Sequence, residues 1–111
     1  MIVELPEKAR IAEEFAREKG LIDRVQFIEG DMFRVEDLPK AEVVLLSNIL
    51  HDWDEPQCRK LTARYSAKLP VGGRMLIHEV FFNEAMDGTL PIALYSVALF
   101  SVTEGRACST E

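Results

Sequence analysis

An α/β fold with a mainly parallel sheet is the class this sequence predicts, and three observations predict it. Short apolar runs alternate with segments of helical periodicity along the 111 residues, the pattern of strands joined by helical crossovers. The run Val43–Leu46 is apolar at four successive positions, as expected of a strand covered on both faces. Glu4, Asp31, Ser47, Asn48, His51, Asp52 and Glu79 fall at or just past the ends of apolar runs. In an open α/β sheet those ends converge on one edge, where ligands bind.

The elements follow in order. Ile2 to Leu5 reads as a short strand, and Pro6 opens a helix because proline is tolerated in the first turn. Ile11, Ala12, Phe15 and Ala16 form one apolar face of that helix, and Glu7, Arg10, Glu13, Glu14 and Arg17 cover the other. Gly20 stops it. Val25 to Ile28 is the second strand, residues 29–33 a turn, and Val35 to Lys40 a polar connection broken by Pro39. Val43 to Leu46 is the third strand. Asp54 is placed as an N-cap, with Pro56 in the first turn and Gln57 where a capping box needs it. This second helix carries Cys58, Leu61 and Tyr65 on one face and ends near Leu69-Pro70. Gly72-Gly73 turns the chain into a long strand from Met75 to Phe82. Residues 83–88 form a loop, and Leu90 to Val102 a helix that is apolar nearly all round. Thr103 to Glu111 is polar and expected to fray.

Length and composition bound the function. A chain of 111 residues makes one domain at most, residues 1–111. The net charge of −6, with Lys and Arg scattered between acids, argues against nucleic acid or an anionic membrane as partner. Cys58 and Cys108 form no C-x-x-C motif and no Cys/His cluster. Reduced thiols in a cytoplasmic protein, with no metal site, are the expectation. No basic segment with a cleavage site opens the chain, so no signal peptide is expected. The longest apolar run, Pro91 to Phe100, is shorter than the ~20 residues a bilayer span needs.

The most specific stretch is Leu50-His51-Asp52-Trp53-Asp54-Glu55. A histidine just past a buried strand carries an imidazole that titrates near neutral pH. Alone, such a residue is more often structural than catalytic. This hexapeptide, however, resembles the L-H-D-W-D-[DE] signature of the plant and bacterial small-molecule O-methyltransferases, the family of caffeic-acid, flavonoid and acetylserotonin methyltransferases. A six-residue match containing a tryptophan, a histidine and three acids is specific.

The resemblance implies S-adenosyl-L-methionine as cofactor and a small hydroxylated, aromatic molecule as acceptor. It makes His51 the general base that removes the acceptor's proton. Asp52 would sit close to the acceptor or the cofactor; its bland role is capping, for which Asp54 is better placed. Trp53 is read as packed under the site. Glu79 would hydrogen-bond His51 and fix its tautomer. An acid within an apolar run needs a partner in any case. His78 points to the opposite face and is read as structural.

The resemblance also assigns adenosine contacts. Glu4-Leu5-Pro6 stands where the family has D-L-P, which gives Glu4 a ribose role. Position alone equally allows Glu4 to complement the helix dipole. Gly30-Asp31-Met32-Phe33 matches G-D-[MF]-F, which gives Asp31 the adenine amine and Met32 the ring face. The plain alternative is an Asx-type turn with Met32 and Phe33 in the core. Ser47 joins the cofactor side. The Pro91 to Phe100 helix, with Leu94, Tyr95, Ala98 and Leu99, would line the acceptor pocket or simply pack.

Some of the family pattern has no counterpart. The expected fold is therefore a partial Rossmann-like methyltransferase sheet, lacking the first glycine-rich strand-turn unit and the C-terminal strands. The family's G-x-E-R-T run aligns with Gly105-Arg106-Ala107-Cys108-Ser109, which puts Ala107 at its glutamate and Cys108 at its arginine; Glu104 or Glu111 are the local substitutes. A gapped sheet exposes strand edges, so a homodimer or swapped assembly is expected. A second reading is a non-catalytic fragment that binds a partner chain or complements a separate piece of a methyltransferase.

Overall fold

A computed structural model describes residues 1–36, 38 and 40–109. The predicted break at Pro39 and the substitute acid Glu111 lie outside the described residues. The chain divides into two compact units, Met1–Leu38 and Pro39–Glu111.

The first unit holds strand β1 (Ile2–Glu4), helix α1 (Pro6–Glu18) and strand β2 (Phe27–Glu29). β1 and β2 pair in parallel, with Ile2 opposite Phe27 and Glu4 opposite Glu29. Pro6 begins α1, where its missing N–H is no loss. Gly20 ends it in the left-handed region at φ +67°. The Gly20 N–H bonds the Arg17 carbonyl at 3.0 Å and the Leu21 N–H the Ala16 carbonyl at 2.7 Å. These two bonds close a Schellman end, which favours glycine at the left-handed position.

The buried stripe of α1 differs from the predicted one. Ala9 and Ala16 are buried and Ala12 half-buried, whereas Ile11 and Phe15 are 68% and 61% exposed. Small side chains let the helix lie close to the β1–β2 pair, and the larger ones stand off it. The Lys19 ammonium lies 5.3 Å over the exposed Phe15 ring.

The second unit runs β3 (Val43–Ser47), a 3₁₀ turn at Leu50–Asp52, α2 (Glu55–Ser66), β4 (Arg74–His78) and α3 (Leu90–Val102). β3 and β4 are parallel, in register from Val43 opposite Arg74 to Ser47 opposite His78. The expectation that β3 is covered on both faces is not met. Leu46 is buried, but Val43 and Leu45 are 50% and 61% exposed. Their register partners Arg74 and Leu76 are exposed as well, so the described residues cover only the Val44/Leu46 face.

Asp54 caps α2 as its position predicts: its Oδ1 accepts the Gln57 N–H at 3.0 Å. Leu61 is fully buried, with Cys58 and Tyr65 half-buried beside it. The helix ends at Ser66 rather than near Leu69. Its last turn tightens, with the Lys68 and Leu69 N–H groups bonding the Tyr65 and Ser66 carbonyls at 3.1 Å each. Replacing Asp54 by alanine removes the side-chain acceptor of the Gln57 N–H, and should lower stability by about 1 kcal/mol. A urea titration followed by far-UV circular dichroism reads the shift directly.

β4 is shorter than the predicted Met75–Phe82 strand. It ends at His78 because the next residue, Glu79, turns its carboxylate onto the turn after β3. Phe82 instead forms an isolated parallel bridge with Ser109, its N–H bonding the Cys108 carbonyl at 2.9 Å. The segment after α3 is thus packed rather than frayed through Ser109. Gly105 is buried, and Ala107, 1% exposed, donates its N–H to the Ser96 hydroxyl at 3.3 Å. α3 has the predicted bounds and apolar character, with Leu99 buried and Leu94, Val97 and Phe100 exposed. Among the described residues no helix is long and apolar enough to cross a membrane.

Candidate active site

The second unit builds its site where β3 ends. The ladder continues one residue past Ser47, with the Asn48 N–H bonding the His78 carbonyl at 2.9 Å. Asn48 then adopts φ +53°, and the chain enters the 3₁₀ turn that carries His51. His51 is 8% exposed and is the buried polar residue of the described core.

Its partner comes from the end of β4. His51 Nδ1 lies 2.5 Å from Glu79 Oε2. The other oxygen, Oε1, accepts the N–H groups of Ile49 and Leu50 at 2.8 Å each. The Glu79 side chain is 4% exposed, so its charge is desolvated. Three donors compensate for that loss of water. An ionised carboxylate accepts only, so an imidazole that is neutral in this pairing carries its proton on Nδ1 and keeps the lone pair on Nε2. Asp52 stands on the Nε2 side, its Oδ1 3.6 Å away and its side chain 45% exposed. Among the described residues, Glu79 and Asp52 are the carboxylates within ion-pair range of His51. Glu104 is exposed and not one of them.

Two further groups fix the ring. Tyr95 of α3 meets it edge-on, with ring centroids 5.9 Å apart and planes at 81°. Gly105 lies directly on the backbone of His51, Asp52 and Trp53. A Cβ there would strike the His51 carbonyl oxygen and stand 2.5 Å from the Trp53 nitrogen and 2.7 Å from the Asp52 carbonyl carbon. The Cys58 thiol donates to the Leu50 carbonyl at 3.2 Å, which ties α2 to the same turn. Burial pushes this thiol up, and the charges of Cys108, Asp54 and Glu79 add to the effect; it is a poor nucleophile. A cavity of about 570 Å³ adjoins Trp53, Cys58, Phe100 and Gly105, and His51 is not part of its wall.

The remaining sequence-predicted residues are placed as follows. Ser47 Oγ pairs with His78 Nδ1 at 2.9 Å across the β3–β4 register. In the first unit the Glu4 carboxylate accepts the Leu5 N–H at 3.2 Å, directly ahead of α1. Asp31 Oδ1 accepts the Phe33 N–H at 2.8 Å, which is an Asx turn, and its Oδ2 lies 3.4 Å from Arg34 Nε. Met32 and Phe33 are half-buried. Gly30 precedes this turn at φ +157°, and a Cβ on it would run into the Val35 side chain. His51, Glu79 and Asp52 therefore come together in one unit, and Glu4, Asp31 and Met32 belong to the other. Among the described residues no group of three or more His, Cys, Asp or Glu side chains could hold a metal ion.

Sequence reasoning did not foresee the parts played by Asn48, Tyr95 and Gly105. Asn48 left a signal, since asparagine is enriched in the left-handed region. Gly105 left only its identity.

Fold and site together define an α/β protein with parallel strand pairs and a carboxylate-oriented imidazole past a strand end. The chain belongs to the O-methyltransferase family, whose domain model matches residues 1–111. It is 42% identical over 84 residues to acetylserotonin O-methyltransferase of Gallus gallus, covering 75% of this chain and 24% of that protein. An O-methyltransferase family 2 protein from Planctomyces limnophilus, crystallised with apigenin, superposes with a TM-score of 0.93 at 52% identity. That match covers 98% of this chain and 32% of the other. Human N-acetylserotonin methyltransferase in complex with S-adenosylmethionine gives a TM-score of 0.85 at 30% identity, over 96% of this chain and 30% of that one. The chain thus spans about a quarter to a third of the length of these relatives, and its fold is part of a methyltransferase domain.

Proposed function

We propose that these 111 residues are part of one S-adenosyl-L-methionine-dependent O-methyltransferase catalytic domain. The acceptor is a hydroxyl of a small, aromatic molecule, and His51 is the general base. One observation carries the reading. The Glu79 carboxylate holds Nδ1 of His51 at 2.5 Å, in a buried setting that leaves Nε2 as a proton acceptor.

S-adenosyl-L-methionine supplies an electrophilic methyl group on a positively charged sulfur. Transfer to a phenol requires the acceptor oxygen to lose its proton, and Nε2 is the atom that takes it. Glu79 then faces an imidazolium, and Asp52 adds a second negative charge beside the protonated nitrogen. Tyr95 keeps the ring from rotating away. Positioning and deprotonation account for most of what such a transfer needs.

The residues present fit the adenosine part of the cofactor. Ribose hydroxyls and the adenine amine are donors. The carboxylates of Glu4 and Asp31 retain accepting capacity beyond their local N–H bonds. Met32 would pack on the base; Ser47, in the second unit and paired there with His78, is given to the cofactor by the resemblance alone. Outer edges of the two-stranded sheets support a homodimer or swapped assembly, and the two free cysteines support a cytoplasmic setting. The buried His51–Glu79 pair speaks against a non-catalytic fragment.

Calorimetric titration with S-adenosylhomocysteine, combined with a methyl-transfer assay on a phenolic acceptor, tests the reading. In the intact domain His51→Ala should keep the cofactor product's affinity and lose turnover, whereas Asp31→Ala should weaken binding. Turnover unchanged in His51→Ala would sink the assignment.

A further inference from the structure

We propose that Asn48 is a positioning residue whose left-handed backbone aims two consecutive N–H groups at Glu79 and so fixes the tautomer of His51. The importance of that tautomer rests on His51 being the base, but the geometry and its test do not.

In an extended strand, successive N–H groups point to opposite sides, so two neighbours cannot share one acceptor. β3 obeys this rule up to Ser47, and Asn48 still donates into the ladder, to His78. Asn48 then turns to φ +53°, and Ile49 follows in the right-handed helical region at φ −114° and ψ −49°. A left-handed residue beside a right-handed one turns adjacent N–H groups to the same side and makes an anion-binding concavity. Here the anion is built in. The Ile49 and Leu50 N–H groups meet Glu79 Oε1 at the same 2.8 Å.

The consequence passes through Glu79 to the imidazole. With Oε1 held by main-chain donors, the carboxylate plane is fixed and Oε2 faces Nδ1 of His51. The Glu79 side chain is 4% exposed, so a donor lost there is costly to replace. Asn48 itself is exposed, so what it contributes is a backbone conformation. Asparagine and glycine tolerate that conformation, and a β-branched residue opposes it.

The experiment is ¹⁵N spectroscopy of the imidazole nitrogens in the labelled 111-residue chain, at a pH where His51 is neutral. The parent and Asn48→Gly should both show a single tautomer protonated at Nδ1. Asn48→Val should lose it and show the averaged signals of two tautomers. Should Asn48→Val fail to fold by circular dichroism, Asn48→Ala, which disfavours the left-handed region without branching, is judged by the same criterion. A folded valine or alanine variant that keeps the parent pattern overturns the proposal. So does a glycine variant that loses it, because the side chain rather than the backbone would then be responsible. Retained methyl transfer in His51→Ala would defeat the general-base reading and leave this result intact, so the two failures are distinguishable.

Discussion

With His51 as the proposed base, Glu79→Gln is expected to give a folded protein that does not transfer methyl groups. The glutamine carbonyl can still accept the Ile49 and Leu50 N–H groups that Oε1 accepts at 2.8 Å, so most of the buried hydrogen bonding survives. The amide nitrogen then faces Nδ1, and it can only donate. Nδ1 must become the acceptor and the imidazole proton must move to Nε2, the nitrogen proposed to take the acceptor's proton. A comparable tautomer error in the serine-protease triad lowers kcat by about 10⁴, and a loss of about 10³ or more is the expectation here. Glu79→Ala behaves differently. It leaves two main-chain N–H groups and Nδ1 buried without an acceptor, and should lower stability by about 2–4 kcal/mol. Turnover and urea midpoints measured on both variants separate the two effects; a glutamine variant as active as the parent would show that Glu79 does not set the tautomer.

Gly105→Ala carries the second large effect. The atoms a Cβ would meet are the His51 carbonyl oxygen, the Trp53 nitrogen and the Asp52 carbonyl carbon. All are main chain and cannot rotate aside as a side-chain end could. The segment after α3, or the turn carrying His51, must therefore move. Such overpacking typically costs about 1–3 kcal/mol, and it displaces the imidazole from Glu79. A lowered thermal midpoint together with a changed His51 ring environment by NMR is expected. A variant with the parent's midpoint would mean that the close approach is not present in solution.

The sequence made much of this architecture legible, for reasons that differ by element. α3 was readable to its ends because thirteen residues, apolar nearly all round and set between two polar segments, leave few alternatives. The start of α2 was readable because an aspartate before Glu-Pro-Gln has one economical use. The parallel pairing of β3 and β4 followed from strand–helix–strand alternation. The stripe of α1 was misread because periodicity identifies apolar positions, whereas the distance between helix and sheet decides whether alanine or phenylalanine is buried. β4 was read four residues too long because Val80, Phe81 and Phe82 continue the apolar run, while Glu79 is pulled out of the ladder by donors thirty residues away in sequence. At the site, His51 and Glu79 were nameable because the resemblance carried by Leu50 to Glu55 pointed to them, and because an acid within an apolar run needs a partner in any case. Gly105 and the Ile49 and Leu50 amides act through what they lack or through the main chain, and neither leaves a mark in residue type.

The reliance of Glu79 on main-chain donors shapes how this region tolerates change. No side chain at positions 49 and 50 takes part in gripping the carboxylate, so isoleucine and leucine there can drift among residues of similar bulk while the grip is kept. Proline is the exception at both, since it removes the N–H itself. Homologous sequences can therefore vary beside the histidine without losing its orientation, with proline barred from the two residues that precede it.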